Sequence, residues 1–302
     1  MNSQSLSRFV WLSIGAAIIT ITLKTLAYYV TGSVGLLSDA LESIINLVAA
    51  VFALFMLKLA EKPADKDHLY GHTKAEYFSS IFEGVLIVIA ALTIGYSGIE
   101  RMFNPQPIQD AILGIGISAI STLINLTVAM TLLKVGNKYN SITLVADGHH
   151  LMTDVWTSVG VVAGVGLVWL TNIQIIDPII ALVVAGNIIR TGYLIMRQSM
   201  MGLLDASLPD EEMKQIKYVL KKFKDAHGIA FHGLRSRQSA TRKFMSVHIL
   251  VPGSWTVQKG HDFLEIIEEE IRTKLPGITV FTHLEPIEDP RSQDDIALDR
   301  NK

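Results

Sequence analysis

The sequence predicts a membrane α-helical domain with six transmembrane helices, followed by a small cytoplasmic α+β domain with the αββαβ order of metallochaperone-like folds. Two observations support this fold class. Half of the 302 residues are hydrophobic and the mean hydropathy is +0.38, which is typical of a membrane protein with a soluble appendage. After Leu203 the sequence changes abruptly from apolar to charged. We therefore expect a transmembrane domain at residues 1–203, a soluble domain at 208–287 and a disordered tail at 288–302.

Six apolar stretches are long enough to cross a bilayer as helices, which takes about 20 residues. Short connections rich in Gly, Pro and Asn separate most of them, as turns require. A cleavable signal peptide is not expected, because the first stretch is too long and lacks a small-residue cleavage site. The predicted spans are residues 9–31, 34–58, 78–100, 111–134, 142–170 and 175–196.

Basic residues indicate how these spans are oriented. One set of alternate connections carries eight of them, whereas the opposite set carries Arg101 alone. Because cytoplasmic loops collect Lys and Arg, both termini are predicted to lie in the cytoplasm of a multi-pass inner-membrane protein. The eight residues are Arg8, Lys58, Lys62, Lys66, Lys74, Lys134, Lys138 and Arg197.

Charge and cysteine content exclude two classes of function. The formal net charge is −2, which argues against nucleic acid as a partner. The chain has no cysteine, so neither disulfides nor thiolate metal sites can form.

The soluble domain shows two periodicities. "LPDEEMKQIKYVLKKF" and "TVQKGHDFLEIIEEEIRTKL" have apolar residues at helical spacing. "HGLRSRQS", "KFMSVHILV" and "GITVFTHLEP" alternate as strands do. The resulting order is α-β-β-α-β.

Two spans carry matching polar stripes inside otherwise apolar runs. Span two reads "DxxExxxN" and span five reads "DxxHxxxD", so each triplet shares one helical face. If the stripes face each other, they offer four oxygen or nitrogen donors, which suits a four-coordinate divalent metal. Interhelical hydrogen bonding without a metal is the alternative, but uncompensated carboxylates in a membrane are costly. The four donors are Glu42, Asn46, His150 and Asp154.

Three further acids lie near these stripes. Asp39 and Asp147 are one turn away from the four donors, so we expect them to support the ligands or to pack the helices. Glu83 in the third span either handles protons or pairs with Lys24 of the first span.

Histidines outside the spans form two further groups. The connection "PADKDHLYGH" places Asp65, His68 and His72 close together at the predicted membrane edge. These three residues either form a metal site or are ordinary exposed residues of the connection. The soluble domain carries four histidines beside an acid, which favours a metal cluster, whereas His149 and His227 have no predicted role. The cluster residues are His232, His248, His261, His283 and Glu285.

The order of six spans, the α+β tail and the motifs "TGSVGLLSDALES", "PADKDHLYGHTKAE" and "ADGHHLMTD" resemble the cation diffusion facilitator family over about residues 9–287. The likeness is greatest to bacterial ferrous-iron and zinc efflux members that form homodimers. The resemblance implies a divalent metal/proton antiporter (Zn, Mn or Fe) that exports from the cytoplasm, with no enzyme activity and no organic cofactor. It implies that the four span donors form the transport site, that the loop group is a second site and that the cytoplasmic cluster is binuclear. It also implies that Lys74 pairs with Asp205 to hold the dimer together.

The sequence departs from the family pattern at three positions. The pair on span two is usually His or Asp followed by Asp, and is Glu42 and Asn46 here. The neutral amide cannot accept a proton, and a donor set richer in oxygen favours Mn²⁺ or Fe²⁺, while Zn²⁺ stays possible. The bridging acid of the cytoplasmic cluster is usually Asp and is Glu285 here.

Three other functions remain as alternatives. An intramembrane metalloenzyme needs an open metal position and a general base, but no HExxH motif occurs. A membrane metal sensor is compatible with the ligands, although no output domain is recognisable after residue 287. A monovalent cation/proton exchanger is suggested by Asn46, but Na⁺ prefers oxygen ligands to the imidazole of His150.

Overall fold

The computed structural model describes residues 6–31, 34–103, 111–171 and 175–294. Within the helices, the side chains at 27–42, 45–46, 101, 111–115, 117–118, 161–170 and 177 are outside the description. The chain divides into two compact units, at residues 1–200 and 201–302.

The first unit consists of long helices, and six helices begin within it. They are α1 (Ser7–Thr31), α2 (Val34–Ala60), α3 (Ala75–Phe103), α4 (Ala111–Tyr139), α5 (Ile142–Thr171) and α6 (Ile176–Leu203). Four of them contain described stretches long and apolar enough to cross a membrane, with mean hydropathies of 1.5 to 2.0. These stretches are Ser7–Leu26, Ala75–Glu100, Ala119–Tyr139 and Pro178–Leu203. Together with the α+β unit, they confirm the predicted fold class.

The helices bury small and branched residues against one another and expose large apolar ones. α1 packs on α2 and α4, α4 packs on α5, and α3 packs on α2 and α5. One core cluster joins α1, α2, α4 and α5 around residues such as Val10, Leu57 and Leu132. Exposed Phe55 and Tyr96 lie on the outer surface of the helices, as expected where lipid rather than water is the solvent.

Helices α3 and α6 approach closely through two glycines. A Cβ atom on Gly84 would lie 2.6 Å from Cγ of Met196 and 3.2 Å from the carbonyl oxygen of Gly192. A Cβ on Gly192 would lie 2.8 Å from a methyl carbon of Val88 and 3.0 Å from the carbonyl oxygen of Gly84. Glycine therefore allows a backbone contact that any larger residue would separate.

The second unit is an α+β domain with the predicted element order. It consists of α7 (Asp210–His227), β1 (Ala230–Ser239), β2 (Arg242–Val251), α8 (Val257–Lys274) and β3 (Ile278–Pro286). The strand order is β1-β2-β3, with β1 antiparallel to β2 and β2 parallel to β3. The helix α8 makes the crossover that a parallel pair requires.

Local signals explain the limits of both helices in this unit. Three acids occupy the first turn of α7, where the helix dipole favours negative charge. Its C-cap is Gly228, with φ +64°, a left-handed conformation that glycine adopts without strain. Thr256 caps α8 by accepting a hydrogen bond from the amide of Lys259 at 3.2 Å.

The core of this unit lies between the two helices and one face of the sheet. Val247 and Ile249 are completely buried, as are Ile216 of α7 and Ile267 of α8. The histidine between the two β2 residues, His248, points away from this core, as the strand alternation predicts.

The structure departs from the predicted disordered tail. A short 3-10 helix covers Pro290–Gln293. The Glu288 carboxylate accepts a hydrogen bond from the amide of Gly253 at 2.9 Å, and Ser292 donates to the carbonyl of Pro286 at 2.8 Å. The prediction of disorder is thus wrong for residues 288–294, because side-chain bonds attach them to the domain. Residues 295–302 lie outside the described residues.

Candidate metal centres

The predicted transport site is described only on its α5 side. His150 is 4% exposed and lies one helical turn from Asp154, so the two share a face. The Asp154 carboxylate accepts a hydrogen bond from the Asn125 amide of α4 at 3.3 Å. Helix α5 packs against α2, on which positions 42 and 46 are found. The side chains of Asp39, Glu42 and Asn46 lie outside the description.

Asn125 hydrogen-bonds a predicted site residue, Asp154, and the sequence reasoning did not single it out. It is 5% exposed and is an isolated amide in the apolar run "ISTLINLTVAM". A buried polar side chain in a membrane helix marks an interhelical contact, and that signal could have identified it.

Two of the nearby acids are deeply buried. Asp147 is 2% exposed and accepts a hydrogen bond from Ser13 of α1 at 3.0 Å. Glu83 is 0% exposed and accepts one from Ser79, one turn earlier on α3, at 3.3 Å. Among the described residues, Lys24 is not a partner of Glu83, so that alternative is not supported.

Glu76 is a buried acid that the sequence analysis did not single out. Its carboxylate accepts hydrogen bonds from the hydroxyl of Ser141 at 2.5 Å and the amide of Thr143 at 3.4 Å. These bonds join the start of α3 to the start of α5. Glu61 at the end of α2 similarly accepts a bond from Ser7 of α1, at 2.5 Å.

The loop group comes together as the sequence suggests. The carboxylate oxygens of Asp65 lie 3.2 Å from Nδ1 of His68 and 3.3 Å from Nε2 of His72. One ligand atom from each of the three residues lies within 4.8 Å of the others. Gly71, with φ +82°, makes the turn that returns His72 toward Asp65, a conformation that suits glycine.

Backbone hydrogen bonds control the charge of Asp65. The amide of His68 donates to its carboxylate at 2.7 Å and the amide of Asp67 at 3.0 Å. The bond from His68 is the main reason why the pKa of Asp65 lies below its ordinary value. The carboxylate is therefore ionised at neutral pH and is able to bind a cation.

The cytoplasmic cluster is assembled by the three strands, which contribute one ligand each. Glu285 of β3 lies 3.1 Å from Nε2 of His232 on β1 and 3.0 Å from Nδ1 of His248 on β2. The two imidazole nitrogens are 3.2 Å apart. A β-bulge follows His232, where Gly233 has φ +60°, and this bulge directs the histidine toward its neighbour.

The other two predicted members of this cluster, His283 and His261, are more exposed and lie outside the group of closely spaced ligand atoms. His283 is 66% exposed on its side chain and lies 3.5 Å from Glu285. His261 is exposed on α8 and is outside the group of ligand atoms that lie within 4.8 Å of one another. His227 has a packing role, since its ring contacts those of Phe223 and Phe263.

The predicted dimer pair is described on one side. Asp205 has φ +57°, and its carboxylate lies 3.2 Å from the guanidinium of Arg237 in the same unit. An interchain bond to Lys74 stays a prediction.

Comparison with known proteins decides the family. The cation efflux transmembrane domain matches residues 10–204, and the cytoplasmic domain of cation efflux proteins matches residues 208–287. The chain belongs to the cation efflux family. This result confirms the family that the motifs predict, and it makes the chain a multi-pass membrane transporter rather than an enzyme.

Several relatives in the cation efflux family match along most of this chain. The uncharacterized transporter sll1263 of Synechocystis sp. is 49% identical over 292 residues, which are 97% of this chain and 94% of the relative. The cation-efflux pump FieF of Yersinia pestis is 28% identical over 270 residues, 89% of each protein. A solved structure of CzrB in its Zn form is 26% identical and covers 28% of this chain and 93% of its own, with a TM-score of 0.26.

Proposed function

We propose that this cation efflux protein is a homodimeric divalent metal/proton antiporter that exports Zn²⁺, Mn²⁺ or Fe²⁺ from the cytoplasm across the inner membrane by alternating access. The observation that supports this most directly is the placement of a buried imidazole and a carboxylate one turn apart on α5. His150 is 4% exposed, and Asp154 accepts a hydrogen bond from Asn125. Ionisable groups are costly in a membrane helix, and there they typically mark the path of an ion or a proton.

The donors of the transport site suit a divalent cation. Asp154 and Glu42 provide two negative charges, His150 an imidazole nitrogen and Asn46 an amide oxygen. Zinc, manganese and iron all accept such mixed oxygen and nitrogen ligands. Because the set contains only one nitrogen, we expect Mn²⁺ or Fe²⁺ to be favoured over Zn²⁺.

Proton coupling follows from the chemistry of these ligands. Imidazole and carboxylate must lose their protons before they bind a metal, so metal and proton compete for the same atoms. A cation that binds from the cytoplasm displaces protons, and protons arriving from the outer side displace the cation. An inward proton gradient then drives export.

The cytoplasmic cluster supports a regulatory role in the dimer. His232, His248 and Glu285 hold ligand atoms within 4.8 Å of one another, and each comes from a different strand. We propose that a cation bound there stabilises the domain and adjusts transport to the cytoplasmic metal level. His248→Ala should then leave export active but less sensitive to metal, whereas unchanged sensitivity would count against regulation.

Transport by the purified protein in proteoliposomes with an imposed pH gradient tests the proposal. We expect uptake of Mn²⁺, Fe²⁺ or Zn²⁺ with countermovement of protons. Asp154→Asn should abolish it, while Asp262→Asn, which removes an exposed carboxylate on α8, should not. Tight binding without movement of any divalent ion would favour a sensor, and transport of Na⁺ alone would favour a monovalent exchanger.

A further inference from the structure

Glu83 of α3 and Asp147 of α5 are buried acids whose carboxylates are hydrogen-bonded to described residues through only one oxygen. Both are almost completely buried, at 0% and 2% exposure. Each binds one serine through one oxygen, Ser79 at 3.3 Å and Ser13 at 3.0 Å. Within the described part of the chain, the second oxygen of each carboxylate is buried with no hydrogen-bond partner.

These two carboxylates belong to neighbouring helices. Helix α3, which carries Glu83, packs against α5, which carries Asp147. Their neighbours Ile87 and Ala146 pack in one core cluster, so α3 and α5 meet at this level. Two like charges in such a medium are strongly unfavourable unless an ion or a proton offsets them.

The available atoms indicate which ligand would fit. Two carboxylates and two serine hydroxyls supply oxygen donors. A divalent cation would offset both charges, and such a site suits ions that prefer oxygen, such as Mn²⁺. A monovalent ion or a single proton would leave one charge uncompensated.

We propose that Glu83 and Asp147 bind a second divalent cation, held by oxygen atoms, as a staging site beside the transport site. This inference rests on the proposed function. Asp147 precedes His150 by three residues on α5, which is a rise of about 4.5 Å, and it lies toward the predicted cytoplasmic end. A cation held there is desolvated before it reaches His150 and Asp154, and its positive charge offsets the buried pair.

Manganese stoichiometry of the full-length protein in detergent tests this site. We would count bound Mn²⁺ per chain by equilibrium dialysis at neutral pH for wild type, Glu83→Gln, His150→Ala and the double variant. Relative to wild type, Glu83→Gln and His150→Ala should each lose one ion per chain, and the double variant should lose two. The matched control is Glu76→Gln, which changes a buried acid of the same helix whose carboxylate is already hydrogen-bonded, and it should lose none.

Two results would overturn the staging site. An unchanged count in Glu83→Gln would mean that the pair holds a proton, and loss of only one ion in the double variant would mean one shared site. Wild-type protein that transports no divalent cation would instead reject the proposed function. If Glu83→Gln does not fold, as judged by thermal unfolding, Asp147→Asn provides the same comparison.

Discussion

Two identical substitutions on α6 should have opposite effects on stability. Gly192→Ala places a methyl group 2.8 Å from Val88, 3.0 Å from the carbonyl oxygen of Gly84 and 3.2 Å from Ile87. Gly186→Ala, on the same helix, places its methyl group where no atom of the described residues lies within 4 Å. The substitutions are chemically the same, so their comparison isolates the cost of separating α3 from α6.

The magnitude follows from two opposing terms. Replacing glycine by alanine inside a helix stabilises by about 1 kcal/mol, and this gain is common to both variants. Overpacking costs about 1–3 kcal/mol, and applies to Gly192 alone because one of its neighbours is backbone that cannot rotate away. The free energy of unfolding should therefore differ by about 1–3 kcal/mol between the variants. At about 2–4 °C per kcal/mol, Gly192→Ala should melt several degrees lower.

Thermal unfolding of the detergent-purified protein, followed by circular dichroism at a helix wavelength, measures this difference. Transport by the two variants in proteoliposomes should follow the same order, because α3 carries Glu83 next to Gly84. Equal melting temperatures would refute the close approach of α3 and α6 at Gly192.

Three further predictions concern three acids in different places: Glu76, Asp65 and Glu285. Glu76→Leu should lower the free energy of unfolding by about 1–3 kcal/mol, because it leaves the buried donors of Ser141 and Thr143 unpaired. Unfolding in denaturant measures this change. An unchanged midpoint would contradict the role of Glu76 in joining α3 to α5. The pKa of Asp65 is lower in the folded protein than in an unfolded chain, so its ionised carboxylate stabilises the folded loop. This stabilisation is fully present above the pKa of an unfolded aspartate and is lost as the pH falls through the lower pKa of the folded state. His68→Pro removes the main amide donor, so carboxyl ¹³C NMR should show the Asp65 midpoint moving upward; a fixed midpoint would exclude that cause. Glu285→Gln should weaken Zn²⁺ binding at the cytoplasmic cluster more than His283→Ala does, because Glu285 contacts both His232 and His248. Titration calorimetry measures the Zn²⁺ affinity of the two variants. Equal losses of affinity would argue against a central role for Glu285.

The sequence predicts those parts of the structure that depend on neighbours along the chain. Six apolar runs and the helix and strand periodicities of the second unit are local signals, and the loop group lies within eight residues, Asp65 to His72. Strand alternation also separates His248 from the core of its domain.

What the sequence does not predict are contacts between distant segments. Glu76 reaches Ser141 across 65 positions, and Asp147 reaches Ser13 across 134, so both depend on which helices are adjacent. The order in residues 288–294 likewise depends on a bond from Gly253 to Glu288. A polar composition alone cannot distinguish such a segment from a disordered one.

The arrangement of one ligand on each strand has a consequence for protein turnover. A cation that binds His232, His248 and Glu285 ties all three strands together, and the unfolded chain does not present these ligands side by side. Binding at 100 times the dissociation constant would stabilise the domain by about 2.7 kcal/mol. Proteases attack opened chains, so we expect the exporter to survive longer in cells with surplus metal and to be degraded sooner in metal-starved ones. Its abundance would then follow demand without a change in gene expression. A half-life that does not respond to added metal, or that responds equally in Glu285→Gln, would exclude this link.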